Sequence, residues 1–328
     1  MRSSLNEVCN KFIENRDVIK KCFILESAYM IPVCASEFCK KRRVISEEAL
    51  EESKRLVNKN TGILSNFRGN VKLPLICLLA NSSDPAQLLS FGKEVYEGLK
   101  EEFLGSEYLA LASILLAQNV DESRVSEYAE RGKRLYNEMK ANHPFLTSSE
   151  DSVFAILMAV SDKSDDELIA EMEQIYTRVR GGMTFESENA IQTVSHILAM
   201  APGTADQKSN RFLKVFNTLR DKGYKYGKGY ELGVLAAVSI LEGDVEEIVQ
   251  DIADADAFLE SQKGYGIGLV GLDKKTRLMH AAMLVSCDRS EGLCESASAI
   301  TGALAIIAAQ EAALMIVMAS SVAISANS

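Results

Sequence analysis

Val95-Tyr96-Glu97-Gly98-Leu99-Lys100 is the stretch on which the fold turns. Its pattern returns as Leu135-Tyr136-x-x-Met139-Lys140, as Ile175-Tyr176-x-x-Val179-Arg180 and as Val215-Phe216-x-x-Leu219-Arg220, forty residues further on each time. The aliphatic, aromatic and second aliphatic positions fall at i, i+1 and i+4, on one side of a helix. The closing cation sits where a helix C-terminus favours positive charge. Gly181-Gly182 and Gly223 follow as expected C-terminal caps, and Ala257-Phe258 reads as a degenerate fifth copy.

Working outward, a more apolar stretch precedes each echo: Leu109–Ala117, Val153–Val160, Ala190–Met200 and Leu232–Leu241. Ser106-Glu107, Ser149-Glu150 and Ser187-Glu188 open these stretches with a capping hydroxyl and a first-turn carboxylate. Asp84-Pro85, Asp121, Pro144, Asp165-Asp166 and Pro202-Gly203 mark loops. Each unit is an apolar helix A, a short loop and an amphipathic helix B. The units span about 62–102, 103–142, 143–182, 183–223 and 224–264. A divergent hairpin at about 17–61, with its helix B near Glu47–Lys59, precedes them, and a last hairpin starts near Asp273. The expected fold class is all-α: tandem helical hairpins in an α–α superhelix with one core over residues 1–328. The period suits HEAT-like hairpins better than tetratricopeptide repeats, and a closed α/α toroid is the alternative.

Composition agrees. Five prolines in 328 residues leave room for uninterrupted helices, and a 47% apolar share excludes global disorder. The net charge of −10 argues against a nucleic-acid partner. Residues 1–60 are locally basic, and Lys40-Lys41-Arg42-Arg43 reads as a cationic helix end. Seven cysteines without metal-ligand spacing, and a start without an apolar leader, lead us to expect buried thiols and a cytoplasmic protein.

The stretch from Ser296 to Ser328 holds one charged side chain, Glu311. A mid-stretch charge and the lack of flanking cations argue against a membrane span, so a helix docked on or inside the array is expected. A buried Glu311 would need a cationic or polar partner, for which Arg277, His280 and Arg68 are the candidates.

Chemical motifs are weak. Gly266-x-Gly268-x-x-Gly271 has the dinucleotide spacing but no strand before it, and Gly223–Gly229 lacks the phosphate-loop spacing, so no cofactor is expected. No HExxH, GxSxG or CxxC occurs, so neither a metal nor a catalytic triad is assigned. His196 and His280 lie in apolar helices as core residues, whereas His143 precedes Pro144 in a loop. Glu107, Glu150, Asp151, Glu188 and Glu231 open successive A helices, where they complement the helix dipole or form a row able to bind a cation or act as acid and base. Arg68 either binds an anion or ties one hairpin to the next.

Ser65-x-Phe67-Arg68-Gly69, Asn142-His143-x-Phe145-Leu146-Thr147, Asn189-Ala190-x-Gln192-x-x-Ser195-His196-Ile197-Leu198 and the Ala/Ser-rich tail after Gln310 carry a likeness. On them the chain resembles a family of uncharacterised bacterial proteins, a domain of unknown function from the Bacillus and Clostridium groups. The resemblance implies an all-helical, non-secreted bacterial protein and no particular activity. The first expectation for function is a non-catalytic scaffold that binds a protein partner. An α/α-toroid enzyme or small-ligand binder with a site at the A-helix starts is the second. Membrane association, or a homo-oligomer interface, through the apolar tail comes after these.

Overall fold

The computed structural model of the chain describes residues 1–26, 29–39, 41–183, 187–229, 231–265 and 272–290. Among the described residues there are fourteen α-helices, one 3-10 turn and no strand. The helices are α1 (Ser3–Cys22), α2 (Met30–Cys39), α3 (Glu47–Asn60), α4 (Lys72–Asn81), α5 (Pro85–Leu99), α6 (Glu107–Ala117), α7 (Val125–Asn142), α8 (Asp151–Met158), α9 (Asp165–Gly182), α10 (Glu188–Met200), α11 (Ala205–Asp221), α12 (Glu231–Ser239), α13 (Val245–Glu260) and α14 (Lys274–Arg289). They belong to two compact units. The first holds Met1–Asn15, Phe38–Val44 and the described chain from Ala170 to Ser290; the second holds Arg16–Glu37 and Ile45–Ile169.

Two kinds of helix alternate, and sequence dictates which is which. α4, α6, α8 and α12 are apolar all round and buried all round. α5, α7 and α11 bury only a stripe. In the second unit the apolar helices pack in the order α4, α6, α8 and the amphipathic ones in the order α3, α5, α7. In the first unit α10, α12 and α14 pack in order, with α11 beside α13. Each unit is therefore a two-layer assembly of apolar and amphipathic helices.

The echo positions supply the stripe. Val95, Leu135, Ile175 and Val215 are fully buried, as are Leu99, Val179 and Leu219, with Met139 nearly so. Tyr96, Tyr176 and Phe216 are buried and Tyr136 is half-buried. Burying one such large apolar side chain stabilises by about 1.5–3 kcal/mol. The fifth copy falls elsewhere than expected. Ala257 is exposed and Phe258 half-buried, whereas Ala255, Asp256 and Leu259 are buried, forty residues after Val215, Phe216 and Leu219. Asp256 thus occupies the aromatic's position, and the Arg277 guanidinium satisfies it.

Several local expectations need correction. Gly181-Gly182 close the last turn of α9 and do not cap it; a Cβ on Gly182 would lie 2.5 Å from Leu213 Cδ1, so the missing side chain makes room for α11. Gly223 does end α11, at φ +85°, with Tyr224 N donating to Leu219 O at 2.9 Å. Asp165-Asp166 form the first turn of α9. Ser106 caps α6 by accepting from Leu109 N at 3.0 Å, but neither α8 nor α10 has a side-chain cap from Ser149 or Ser187.

Two arginines eighty residues apart tie hairpins together in the same way. Arg131 of α7 donates to Ala159 O at 2.9 Å, to Ser161 O at 2.5 Å, to Lys163 O and to Asp165 Oδ1 at 2.7 Å. Arg211 of α11 donates to Ser239 O at 2.6 Å, Leu241 O at 2.6 Å and Gly243 O at 2.8 Å. Each guanidinium meets the carbonyls that a helix C-terminus leaves without partners.

Within the first unit the chain's start is fastened to its last described hairpin. Arg2 Nη2 lies 2.8 Å from Asp251 Oδ2 and 2.6 Å from Asp288 Oδ2. Arg289 Nη2 meets Asp251 Oδ2 at 2.6 Å, and Arg42 Nη2 meets Asp288 Oδ1 at 3.2 Å. Burial, with the Asp288 charge adding to it, pushes the nearby Cys9 thiol up to about 12, so it stays protonated as the expected buried thiol.

Candidate functional site

The loops that lead from each amphipathic helix into the next apolar helix of the second unit end in exposed apolar side chains. Ile63 and Leu64, before α4, are 85% and 98% exposed; Leu104, before α6, is 94% exposed; Phe145, before α8, is 97% exposed. Ile24 and Leu25, before α2, are exposed too, while their neighbour Phe23 is held beneath Lys54 of α3. Single exposed apolar residues are ordinary on a protein surface. The same placement in successive loops is not, and contiguous apolar surface marks interaction sites.

These loops are stitched side by side. Asn66 Nδ2 donates to Tyr96 Oη at 2.6 Å, and the Phe67 ring stands edge-on to Tyr96 at 5.1 Å. Asn70 N donates to Glu107 Oε2 at 2.7 Å. Gly69 permits this approach, since a Cβ there would lie 1.7 Å from Glu107 Oε1. One hairpin further, Lys133 Nζ donates to Glu102 O at 2.6 Å and covers the Phe103 ring, which stands edge-on to Tyr136 at 5.7 Å. The charges of Glu150 and Glu107 lie near the Tyr108 hydroxyl, at the starts of α8 and α6. These hydrogen bonds tie the segments that carry Ile63, Leu64 and Leu104 to the helices beside them.

Several residues singled out in the sequence lie in or beside these loops. Arg68 Nε donates to Thr61 Oγ1 at 2.9 Å and Nη2 to Thr61 O at 2.6 Å, so it closes the end of α3 against the next loop. His143 ends α7 through its own N–H to Met139 O at 2.9 Å, and its carbonyl accepts from Leu146 N and Thr147 N. Asp151 is buried in the first turn of α8 and accepts from Ser148 N at 2.8 Å. Burial, with the Glu150 charge beside it, raises its carboxyl to about 7. Burial and the charges of Glu150 and Glu107 push the Tyr108 hydroxyl up to about 12. The arrangement supplies a buried carboxyl half-protonated near neutrality beside the Glu150 charge.

The remaining candidates lie in the first unit and perform local work. Glu188 pairs with Arg180 at 2.7 Å. Glu231 is buried and accepts from Gly229 N at 3.1 Å. His196 is buried in α10. His280 Nδ1 shares a 2.8 Å hydrogen bond with the Tyr265 hydroxyl and its ring lies near Phe12. Arg277 is held by Asp256 at 2.7 Å and Glu260 at 2.9 Å. The three side chains named as partners for Glu311 thus have partners beside them; Glu311, Lys40, Cys294 and Gly266-x-Gly268-x-x-Gly271 lie outside the described residues. Among the described residues, no helix is long and apolar enough to cross a membrane, and no group of three or more His, Cys, Asp or Glu could hold a metal.

The exposed tips escaped the sequence reading because exposed leucines look like any other loop residue. Their signal was the period: Leu64 and Leu104 are forty residues apart, in phase with the echo.

Paired apolar and amphipathic helices with exposed apolar loop tips define an all-helical protein without a recognisable catalytic constellation among its described residues. The chain belongs to the family described as Protein of unknown function (DUF4003), whose model matches residues 17–313. The comparisons with curated proteins and with solved structures give no match.

Proposed function

We propose that the protein is a non-catalytic interaction scaffold of the bacterial cytoplasm that docks a protein partner on the loop rim of its second unit. The observation that carries this reading is the recurrence of Ile63, Leu64, Leu104 and Phe145, each at least 85% exposed, in successive loops, of which the first two are bonded to the helices beside them. Exposure of this kind forgoes about 1.5–3 kcal/mol per large side chain, which a partner's surface would recover. Tandem hairpins present such a rim as a by-product of their repetition. The Arg131 and Arg211 clamps, at equal offsets, support the tandem arrangement.

The test places a photo-crosslinking amino acid at residue 104 or 145 and, as control, at exposed Gln118 beyond the other end of α6. Discrete protein adducts from 104 and 145 but not from 118 are expected in cells producing the protein. The same adducts from all three positions, or none from the rim, would overturn the reading. Self-crosslinks from the rim would assign a homo-oligomer in its place.

A second reading has one specific observation behind it: Asp151, raised to about 7 by burial beside Glu150 in the first turn of α8, is suited to proton transfer on a small ligand. Its test is a ligand-induced shift in the Asp151 titration by NMR.

A further inference from the structure

We propose that Arg42 is a tensioned latch that holds the start of α1 onto α14, and that its release lifts the first turns of α1 as a unit. Two observations carry it. The first is the backbone. Among the described residues, five have a left-handed φ: Gly203, Gly223, Gly243, Gly264 and, at φ +45°, Arg42. The four glycines lie in the turns between α10 and α14. Arg42 is the exception, in the turn that follows α2. There Arg42 N donates to Cys39 O at 3.0 Å and Arg43 N to Phe38 O at 3.4 Å. These are the paired bonds of a Schellman turn, in which glycine is the usual residue at the left-handed position. A residue with a Cβ is disfavoured there, so the turn closes against its own backbone preference.

The second observation is where the guanidinium goes. Arg42 Nη1 donates to Ser4 O at 3.1 Å and lies 3.1 Å from Glu7 Oε2, both on α1. Its Nη2 lies 3.2 Å from the buried Asp288 Oδ1, near the end of α14. Asn15 Nδ2 of α1 donates to Arg43 O at 2.9 Å. The basic run, expected from sequence to serve its own helix end, thus directs this charge to two other helices. Three charge-assisted bonds from one side chain hold a residue other than glycine in the left-handed turn. Beneath the latch, α1 turns Leu5, Val8, Cys9 and Phe12 inward, all fully or almost fully buried, while Ser3, Asn6, Glu7 and Asn10 are exposed. The start of α1 is one amphipathic segment fastened at its edge, and such a segment opens at lower cost than the unit that holds it.

Cys9 reports the opening. Burial keeps its thiol protonated and out of reach, so iodoacetamide alkylates it only when α1 lifts. The whole protein is labelled in native buffer, and peptide mass spectrometry follows the alkylation of each cysteine. Buried Cys77 of α4, in the second unit, reports opening elsewhere. Arg42→Gly removes the guanidinium and relieves the backbone; Arg42→Ala removes the guanidinium and keeps the strain. Lys41→Ala removes the exposed neighbouring charge. Cys9 should be alkylated at least about tenfold faster than in wild type in Arg42→Gly, and faster again in Arg42→Ala. Its rate in Lys41→Ala, and that of Cys77 in all three variants, should match wild type.

A Cys9 rate in Arg42→Gly equal to wild type, or one that rises only in step with Cys77, would overturn the latch, because the guanidinium then does not hold α1 selectively. An equal rise in Lys41→Ala would overturn it too, by assigning the effect to the net charge of the basic run. Equal Cys9 rates in Arg42→Gly and Arg42→Ala would show that the turn carries no tension. If Cys9 and Cys77 of an Arg42 variant both react as in the unfolded chain, Glu7→Gln takes its place, since it weakens one half-exposed bond of the latch. A smaller rise confined to Cys9 is expected there, and its absence would overturn the proposal.

Discussion

Asp151 is a carboxylic acid held far from its ordinary state. It stands at the first turn of α8, where a carboxylate is electrostatically welcome, yet it is buried and its carboxyl is raised to about 7. Desolvation outweighs the helix dipole and the Ser148 N–H, both of which favour the charged form. An acid raised in this way binds more protons folded than unfolded between about pH 4 and pH 7. Its contribution therefore favours the folded state at the acid end of that window and is lost as pH rises through it. The full difference corresponds to about 4 kcal/mol at most. Asp151→Asn keeps the acceptor for Ser148 N without the charge. Urea unfolding at pH 5 and pH 8 should show the wild type losing up to about 3 kcal/mol relative to the variant. Parallel pH dependence in the two proteins would show that the carboxyl titrates normally.

Helices are held to one another here by cationic forks as well as by apolar stripes. The Arg131 and Arg211 guanidinium groups each bond three carbonyls at and beyond a helix C-terminus. Arg131→Met or Arg211→Met should each lower unfolding free energy by about 2–4 kcal/mol, since carbonyls are orphaned along with the lost charged bonds. Arg→Lys should recover only part, because an ammonium cannot span the fork; full recovery in urea melts would show that charge alone matters. At α13 the stripe itself changes character. Asp256→Ala leaves the buried Arg277 only the exposed Glu260 as a carboxylate partner and should cost about 2–3 kcal/mol. Asp256→Phe with Arg277→Leu restores an apolar pair and should recover most of it; a double variant as unstable as Asp256→Ala would refute this account of the pair. These elements also show what the sequence made legible. The aliphatic–aromatic–aliphatic echo located the buried stripes because hydrophobic periodicity is a local signal. It misplaced the fifth copy by two residues because a buried Asp has no apolar signature, and only its distant partner reveals why it is tolerated. Arg131 and Arg211 share a phase of the forty-residue period, but their targets lie about thirty residues downstream, in contacts that folding alone creates. The acidic A-helix starts were visible, yet burial, which separates Asp151 from exposed Glu188, is a tertiary quantity.

At the scale of the chain, residues at opposite ends of the described sequence act as one electrostatic unit. Arg2, Arg42 and Arg289 converge on Asp251 and Asp288, and the Asp288 side chain is fully buried. Such a group gains little net stability from pairing, yet losing a partner is costly, because the remaining charge stays buried. The consequence is coupling: loosening α1 should loosen α13 and α14, which are more than 240 residues away in sequence. Arg2→Ala leaves both carboxylates in place, with Arg289 still on Asp251 and Arg42 still on Asp288, so it should destabilise by less than Asp288→Ala, which releases Arg2 and Arg42 together. The expected cost of Asp288→Ala is about 3–5 kcal/mol. Native-state hydrogen exchange separates coupling from a merely local effect. In Arg2→Ala, amides near Asp251 in α13 and in the last turn of α14 should exchange faster along with those of the first turns of α1. Faster exchange confined to α1 would mean that the chain's start frays alone.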